Sequence, residues 1–146
     1  MTVEPTDNRL VKALVAKVIL DSNFLFVPSQ FQLDIFEELA ELLGQRFDPL
    51  ILSLTYEELV KIAEGGSPKI RKQAALALAL TERCRIVPVD RSDEESNDDV
   101  IVRVAAEWRC PVATNDRVLR RRLRNVDVAV IYVRQKSRLE MEGSVP

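Results

Sequence analysis

The stretch Val18-Ile19-Leu20-Asp21-Ser22-Asn23 constrains this chain more than any other. A short apolar run with no polar alternation reads as a strand buried on both faces, the environment of a parallel sheet covered by helices. It ends abruptly in Asp-Ser-Asn, so the first polar side chains emerge where the strand leaves the core. In open α/β sheets, ligands bind in the crevice outside the carboxyl ends of the strands. Asp21 is the anchor of the reading that follows.

The remaining chain supplies the partners such a strand needs. A short helix is expected around Arg9 to Val15. Pro28-Ser29 opens a helix in which Ser29 and Gln32 form a capping box, Ile35, Phe36, Leu39, Leu42 and Leu43 form one apolar stripe, and Gly44 stops it. Asp34, Glu37, Glu38 and Glu41 fall on the solvated face. Leu50 to Leu54 reads as the second strand, followed by a helix from Thr55 to Glu64 and a turn at Gly65-Gly66-Ser67-Pro68. Lys69 to Glu82 is a helix whose apolar residues wrap more than one face, so it is either sandwiched or shared with a second copy, and a homodimer is expected.

Arg85 to Val89 is the third strand, ending at Asp90. The acidic stretch Asp93 to Asp99 leads into a helix that continues through Glu107. Pro111 to Thr114 is a short fourth strand, Arg117 to Arg124 a helix, and Val128 to Val133 a fifth strand; the polar remainder from Arg134 is expected to fray. Strands alternating with helices imply a three-layer α/β/α sandwich around a central parallel five-stranded sheet, with right-handed crossovers. That architecture gathers the strand exits along one edge.

At 146 residues the chain suits a single domain over 1–146, with its core at about 17–134. A net charge of −2 provides no global field to attract nucleic acid, so any such contact must be local. No apolar run approaches a membrane span and residues 1–17 carry no cleavage-site pattern, so the expected location is the cytoplasm. Cys84 and Cys110 stand in neither CxxC nor zinc-ligand spacing and read as buried free thiols. The chain has no histidine, which removes Ser-His and Cys-His nucleophile activation and most zinc sites together.

Four carboxylates converge by position: Asp21 after the first strand, Glu58 in the first turn after the second, Asp98 at the start of a helix, and Asp116 after the fourth strand. Carboxylates brought together unpaired raise one another's pKa, so such a group calls for cations. Oxygen ligation without histidine favours Mg²⁺ or Mn²⁺, and with them phosphodiester chemistry. Each acid also has an ordinary role open to it. Glu58 closes a Thr55-x-x-Glu58 spacing that favours a helix cap, and Asp116 can serve a helix dipole equally well. Asp98 is better discriminated, because Ile101, Val102 and Ala105 put it on the core-facing stripe of its helix, whereas Asp99 aligns with Val102, Arg103 and Ala106. Asp90 and Asp99 are secondary candidates.

Arg117, Arg120, Arg121 and Arg124 repeat at helical spacing beside the acidic edge, with Leu119, Leu123 and Val126 on the buried side. A basic stripe there can hold a phosphate backbone, although a solvated charged face accounts for it too. Lys69, Arg71 and Lys72 are a weaker extension of it.

Taken together, VILDSN, TYEEL at 55–59, NDDVIVRVA at 97–105 and VATNDRVLRRRL at 112–123 make this chain resemble the PIN-domain nucleases. The resemblance runs from Val18 to about Val133. It implies an α/β/α sandwich and divalent-metal-dependent endoribonuclease activity. It puts the family's four acids on Asp21, Glu58, Asp98 and Asp116, with Asp21, Asp98 and Asp116 as the main metal ligands and Glu58 ligating or orienting a water. Ser22, Asn23, Thr114 and Asn115 match polar positions that support the acids. The motif wording is nearer to the branch that processes small-subunit ribosomal RNA than to VapC-type toxins, which would bring a small antitoxin partner. A nuclease-inactive RNA-binding module is a separate alternative. A flavodoxin-like or nucleotide-binding domain ranks last, since Ser22-Asn23-Phe24-Leu25 supplies no glycine-rich phosphate loop.

Overall fold

A computed structural model describes residues 16–144. The helix expected around Arg9 to Val15 lies outside the described residues. Six strands form one sheet: β1 (Ala16–Leu20), β2 (Phe47–Leu52), β3 (Arg85–Val87), β4 (Val112–Ala113), β5 (Val130–Arg134) and β6 (Arg138–Glu142). Their spatial order is β3-β2-β1-β4-β5-β6. The pairs among the first five are parallel, and β6 runs antiparallel to β5.

The chain moves outward on one side of β1 through β2 and β3, then returns to build β4 and β5 on the other. The order of strands therefore reverses between β1 and β4. A crevice opens at such a reversal, outside the carboxyl ends of the two strands. Asp21 follows β1 and Thr114 follows β4, so both stand at its mouth.

The sheet is buried on both faces, as the unalternating β1 run requires. Val18 and Leu20 pack with Phe24, Leu25, Ile35, Leu39 and Leu59 on one side, while Ile19 packs with Leu50, Leu52, Ile101, Leu119 and Leu123 on the other. The first layer carries α1 (Val27–Phe31), α2 (Ile35–Leu43), α3 (Ser53–Gly65) and α4 (Pro68–Thr81), and the second carries α5 (Asn97–Trp108) and α6 (Arg117–Asn125). Cys84 and Cys110 are both free thiols, the first half-buried and the second buried.

Three local expectations are corrected. The single helix expected from Pro28 to Leu43 breaks where Gln32 adopts φ 54°, and Asp34 rather than Ser29 caps the longer part. The Asp34 carboxylate accepts from the backbone N–H groups of Phe36 and Glu37 at 3.1 and 3.2 Å. With Glu37 and Glu38 in the first turn after it, that is the stronger helix start.

The tail expected to fray instead forms β6. Leu139 is buried and Met141 packs against the same core, while Arg138 and Glu142 stay exposed on the alternate positions. The connection is tight, with Gln135 and Lys136 at φ 53° and 58°. Neither residue is the Asn or Gly usual at positive φ, so this hairpin carries no standard turn signature.

Val126, assigned to the buried side of α6, lies just past the end of that helix and is 45% exposed. Helical phase no longer applies once the helix has stopped. Helix α4 buries Ala74, Ala77 and Thr81 and leaves Ile70 and Leu76 exposed, so part of its apolar surface is not sandwiched within the chain's described residues. Among the described residues no helix is long and apolar enough to cross a membrane.

Candidate active site

The carboxyl end of β1 delivers Asp21 into the crevice, where it is only 8% exposed. It caps the 3₁₀ turn of residues 22–26 by accepting from Ser22 N–H at 2.8 Å through Oδ1. Its Oδ2 accepts from the Thr114 hydroxyl at 2.8 Å. These bonds stabilise the charged form, but burial acts more strongly and raises the carboxyl from 3.8 to about 6, with further contributions from the charges of Asp98 and Glu58.

Thr114 is fully buried at the end of β4 and serves both strands of the crevice. Besides donating to Asp21, it accepts from the Asp116 backbone N–H at 3.1 Å. Asn23 supports the same corner, its Oδ1 accepting from Asn115 N–H at 3.1 Å. The Asn115 side chain in turn accepts from Val133 N–H at 2.9 Å and ties β5 to the site.

Asp116 is the N-cap of α6, its Oδ1 accepting from Val118 and Leu119 N–H at 2.8 and 3.1 Å. The capping role therefore holds, yet Asp116 also lies close enough to Asp98 to raise that residue's pKa. One carboxylate oxygen does the capping. Among the described residues its Oδ2 has no hydrogen-bond partner.

Glu58 does not cap its helix. Helix α3 starts at Ser53, two residues before Thr55, and has no side-chain cap. Glu58 accepts from the Ser22 hydroxyl at 2.5 Å and from Asn97 Nδ2 at 3.3 Å, so it bridges the turn after β1 and the start of α5. Asn97 was not singled out by the sequence, although it directly precedes Asp98.

Asp98 and Asp99 have different surroundings. Asp99 joins Ser96 in a reciprocal capping box and pairs with Arg122 at 2.7 Å, and the Ser96 bond together with that arginine lowers its pKa. Asp98 has the opposite shift: burial raises its carboxyl, reinforced by Asp116 and Glu58 and opposed by Arg122. Asp90 stays at the surface, where its carbonyl accepts from Arg103.

Asp21, Glu58, Asp98 and Asp116 thus form one mutually repelling group at the crevice. Among the described residues no three carboxylates or thiols already stand at the spacing that encloses an ion. The donor chemistry nevertheless fits a hard divalent cation: all the donors are oxygens, two of the acids are held at raised pKa, and Arg122, the arginine that acts on Asp98, is already paired with Asp99.

The arginine stripe of α6 is divided. Arg117 and Arg121 are exposed and in no ion pair among the described residues. Arg120 stacks over the Tyr132 ring at 3.9 Å and pairs with Glu142 at 3.2 Å. Arg124 also reaches Glu142, at 3.7 Å, and donates to Val128 O. Arg122, which the stripe omitted, is the one that secures α5 to α6. Lys69, Arg71 and Lys72 are exposed on α4, in the other layer.

Residues 18–136 match a protein family described as PIN like domain. Over 129 residues the chain is 28% identical to ribonuclease VapC4 of Methanocaldococcus jannaschii, an alignment covering 88% of this chain and 98% of that one. Over 109 residues it is 32% identical to the rRNA-processing protein fcf1 of Schizosaccharomyces pombe, covering 75% of this chain and 54% of that protein. The structure of the PIN domain endonuclease Utp24 superposes with a TM-score of 0.74 at 28% identity, covering 88% of this chain and 92% of the other.

Proposed function

This chain belongs to the PIN-like domain family, and from that premise we propose that it is an endoribonuclease that hydrolyses RNA phosphodiesters with Mg²⁺ or Mn²⁺. The observation that carries the reading is Asp21, a carboxylate buried at the strand reversal and pushed up to about 6 beside two further acids, with no cationic side chain among the described residues bonded to it. Asp21, Asp98 and Asp116 are the proposed ligands, and Glu58 ligates or orients a water. When bound, the cation would activate water as nucleophile and neutralise charge developing on the phosphate.

The chain's own residues do the rest. Ser22, Asn23, Thr114 and Asn115 fix the acids through the bonds described above, so that little reorganisation is needed when charge develops. The Ser22 hydroxyl and Asn97 hold Glu58 from two sides. Arg117, Arg120, Arg121 and Arg124 take the RNA backbone beside the acids.

RNA processing in the cytoplasm is the proposed role, and ribosomal RNA is supported by the rRNA-processing relative. A toxin ribonuclease with an antitoxin partner is the second reading, supported by the 28% identity to ribonuclease VapC4 over 129 residues. A homodimer would pack over the exposed Ile70 and Leu76 of α4; a monomer in light scattering at micromolar concentration would remove it. The deciding experiment offers structured and unstructured RNA to the purified protein with Mn²⁺, Mg²⁺ or EDTA, beside Asp21→Asn. Metal-dependent cleavage lost in the variant is the expected result. Equal cleavage by the variant, or none in any metal, overturns the proposal.

A further inference from the structure

A groove of about 1010 Å³ opens between α6 and the β5–β6 hairpin, beginning at Asn115 and Arg117 on either side of Asp116. Six cationic side chains line it, Arg117, Arg120, Arg121 and Arg124 on one wall and Arg134 and Lys136 on the other, against the single lining carboxylate of Glu142 and with Arg134 paired to Glu140 at 3.0 Å. For a chain whose net charge is −2, that is a concentrated positive field. The second wall exists only because the tail folds back as β6.

The groove also offers groups that bases can use. The Arg120 guanidinium sits over the Tyr132 ring at 3.9 Å, a pairing of an arginine and an aromatic ring, the two kinds of side chain on which unpaired bases stack. Gln30, Asn125 and Gln135 present amides around it. A duplex hides its base faces and edges from a concave surface of this kind, whereas a single strand exposes them. Resting on the ribonuclease reading above, we infer that this groove holds the single-stranded RNA leading away from the acidic site, with Arg134 and Lys136 of the hairpin as backbone contacts.

Glu142 gives the groove a built-in competitor. It occupies Arg120 and Arg124 at 3.2 and 3.7 Å, so an incoming phosphate must displace a carboxylate to engage them. The groove thereby keeps its arginines in place before RNA arrives, at some loss of affinity.

The test measures binding of a labelled single-stranded oligoribonucleotide and of a hairpin-free RNA duplex by fluorescence anisotropy, in an Asp21→Asn background so that the probe survives. Arg134→Gln with Lys136→Asn, the second chosen because Asn tolerates positive φ, is expected to weaken single-strand binding about tenfold and to lower the slope of log affinity against log salt by about 1.4, from about 0.7 per cation removed. Glu142→Gln is expected to tighten binding several-fold. Unchanged affinity in the hairpin variant, weaker binding in Glu142→Gln, or duplex bound as tightly as single strand overturns the inference. The two readings fail separately. Hairpin-dependent binding by a protein that cuts no RNA would sink the nuclease proposal alone. Metal-dependent cutting with the same KM in the hairpin variant would sink the groove alone.

Discussion

Arg122 donates to Asp99 at 2.7 Å, and this pairing separates two adjacent carboxylates into different roles. Asp99 closes the capping box with Ser96 and fastens α5 to α6, while Asp98 shares the crevice with Asp116 and Glu58. The expected outcomes follow. Asp98→Asn should cut RNA cleavage at least about 100-fold, at or beyond the upper end of what losing a ligand's supporting partner costs, with the melting temperature unchanged or higher. Asp99→Ala should lower the melting temperature by a few degrees while retaining most activity, because it loses a cap and an interhelical pair. Thermal melts beside cleavage assays check both, and the reverse pattern would exchange the two assignments.

Much of this arrangement is legible in the sequence wherever the signal is local. The buried β1 run, the polar exit at Asp21 and the helical face of Asp98 each depend on residues within one turn or one strand. What was hidden is non-local. Strand β6 has only Leu139 and Met141 to bury, and its turn uses Gln135 and Lys136, so nothing short of the finished sheet marks it. The spacing Thr55 to Glu58 suggested a cap because the true start of α3, at Ser53, has no capping side chain to announce it. Arg120 and Arg124 match the exposed Arg117 and Arg121 in sequence, and only the packing of β6 reveals that Glu142 engages them.

Burial raises Asp21 from 3.8 to about 6, and the sign of its effect on stability is fixed by that direction. The native state holds this proton more tightly than the unfolded chain does, so the Asp21 contribution makes the protein less stable as pH rises from about 4 to 6 and is constant above. Asp21→Asn should therefore match the original chain below about pH 4 and exceed it above pH 6, by about 2–3 kcal/mol for a shift of this size. Denaturant unfolding in EDTA across that range tests it. Added Mg²⁺ should then stabilise the original chain at pH 7 more than the variant, since a cation at the crevice offsets the repulsion that the variant lacks. A constant difference at all pH values would mean that Asp21 acts through packing.

Thr114 is the residue through which strand β4 acts on Asp21. Its hydroxyl lowers the Asp21 pKa by donating at 2.8 Å while accepting from Asp116 N–H at 3.1 Å, so one buried oxygen sets the charge of one acid and the position of another. Thr114→Val keeps the volume and removes both bonds. Asp21 then moves to higher pKa and is more often protonated at neutral pH, and the acidic limb of the pH–rate profile should move to higher pH. At pH 7 the loss of activity should be about 10–100-fold, the usual range for removing a group that orients a ligand, and it should shrink as pH rises. The unsatisfied Asp116 N–H should cost about 1–3 kcal/mol of stability. Thr114→Ser restores the hydroxyl and should recover both the rate and the profile. A Val variant that is slower by the same factor at every pH would show that Thr114 positions Asp116 without tuning Asp21.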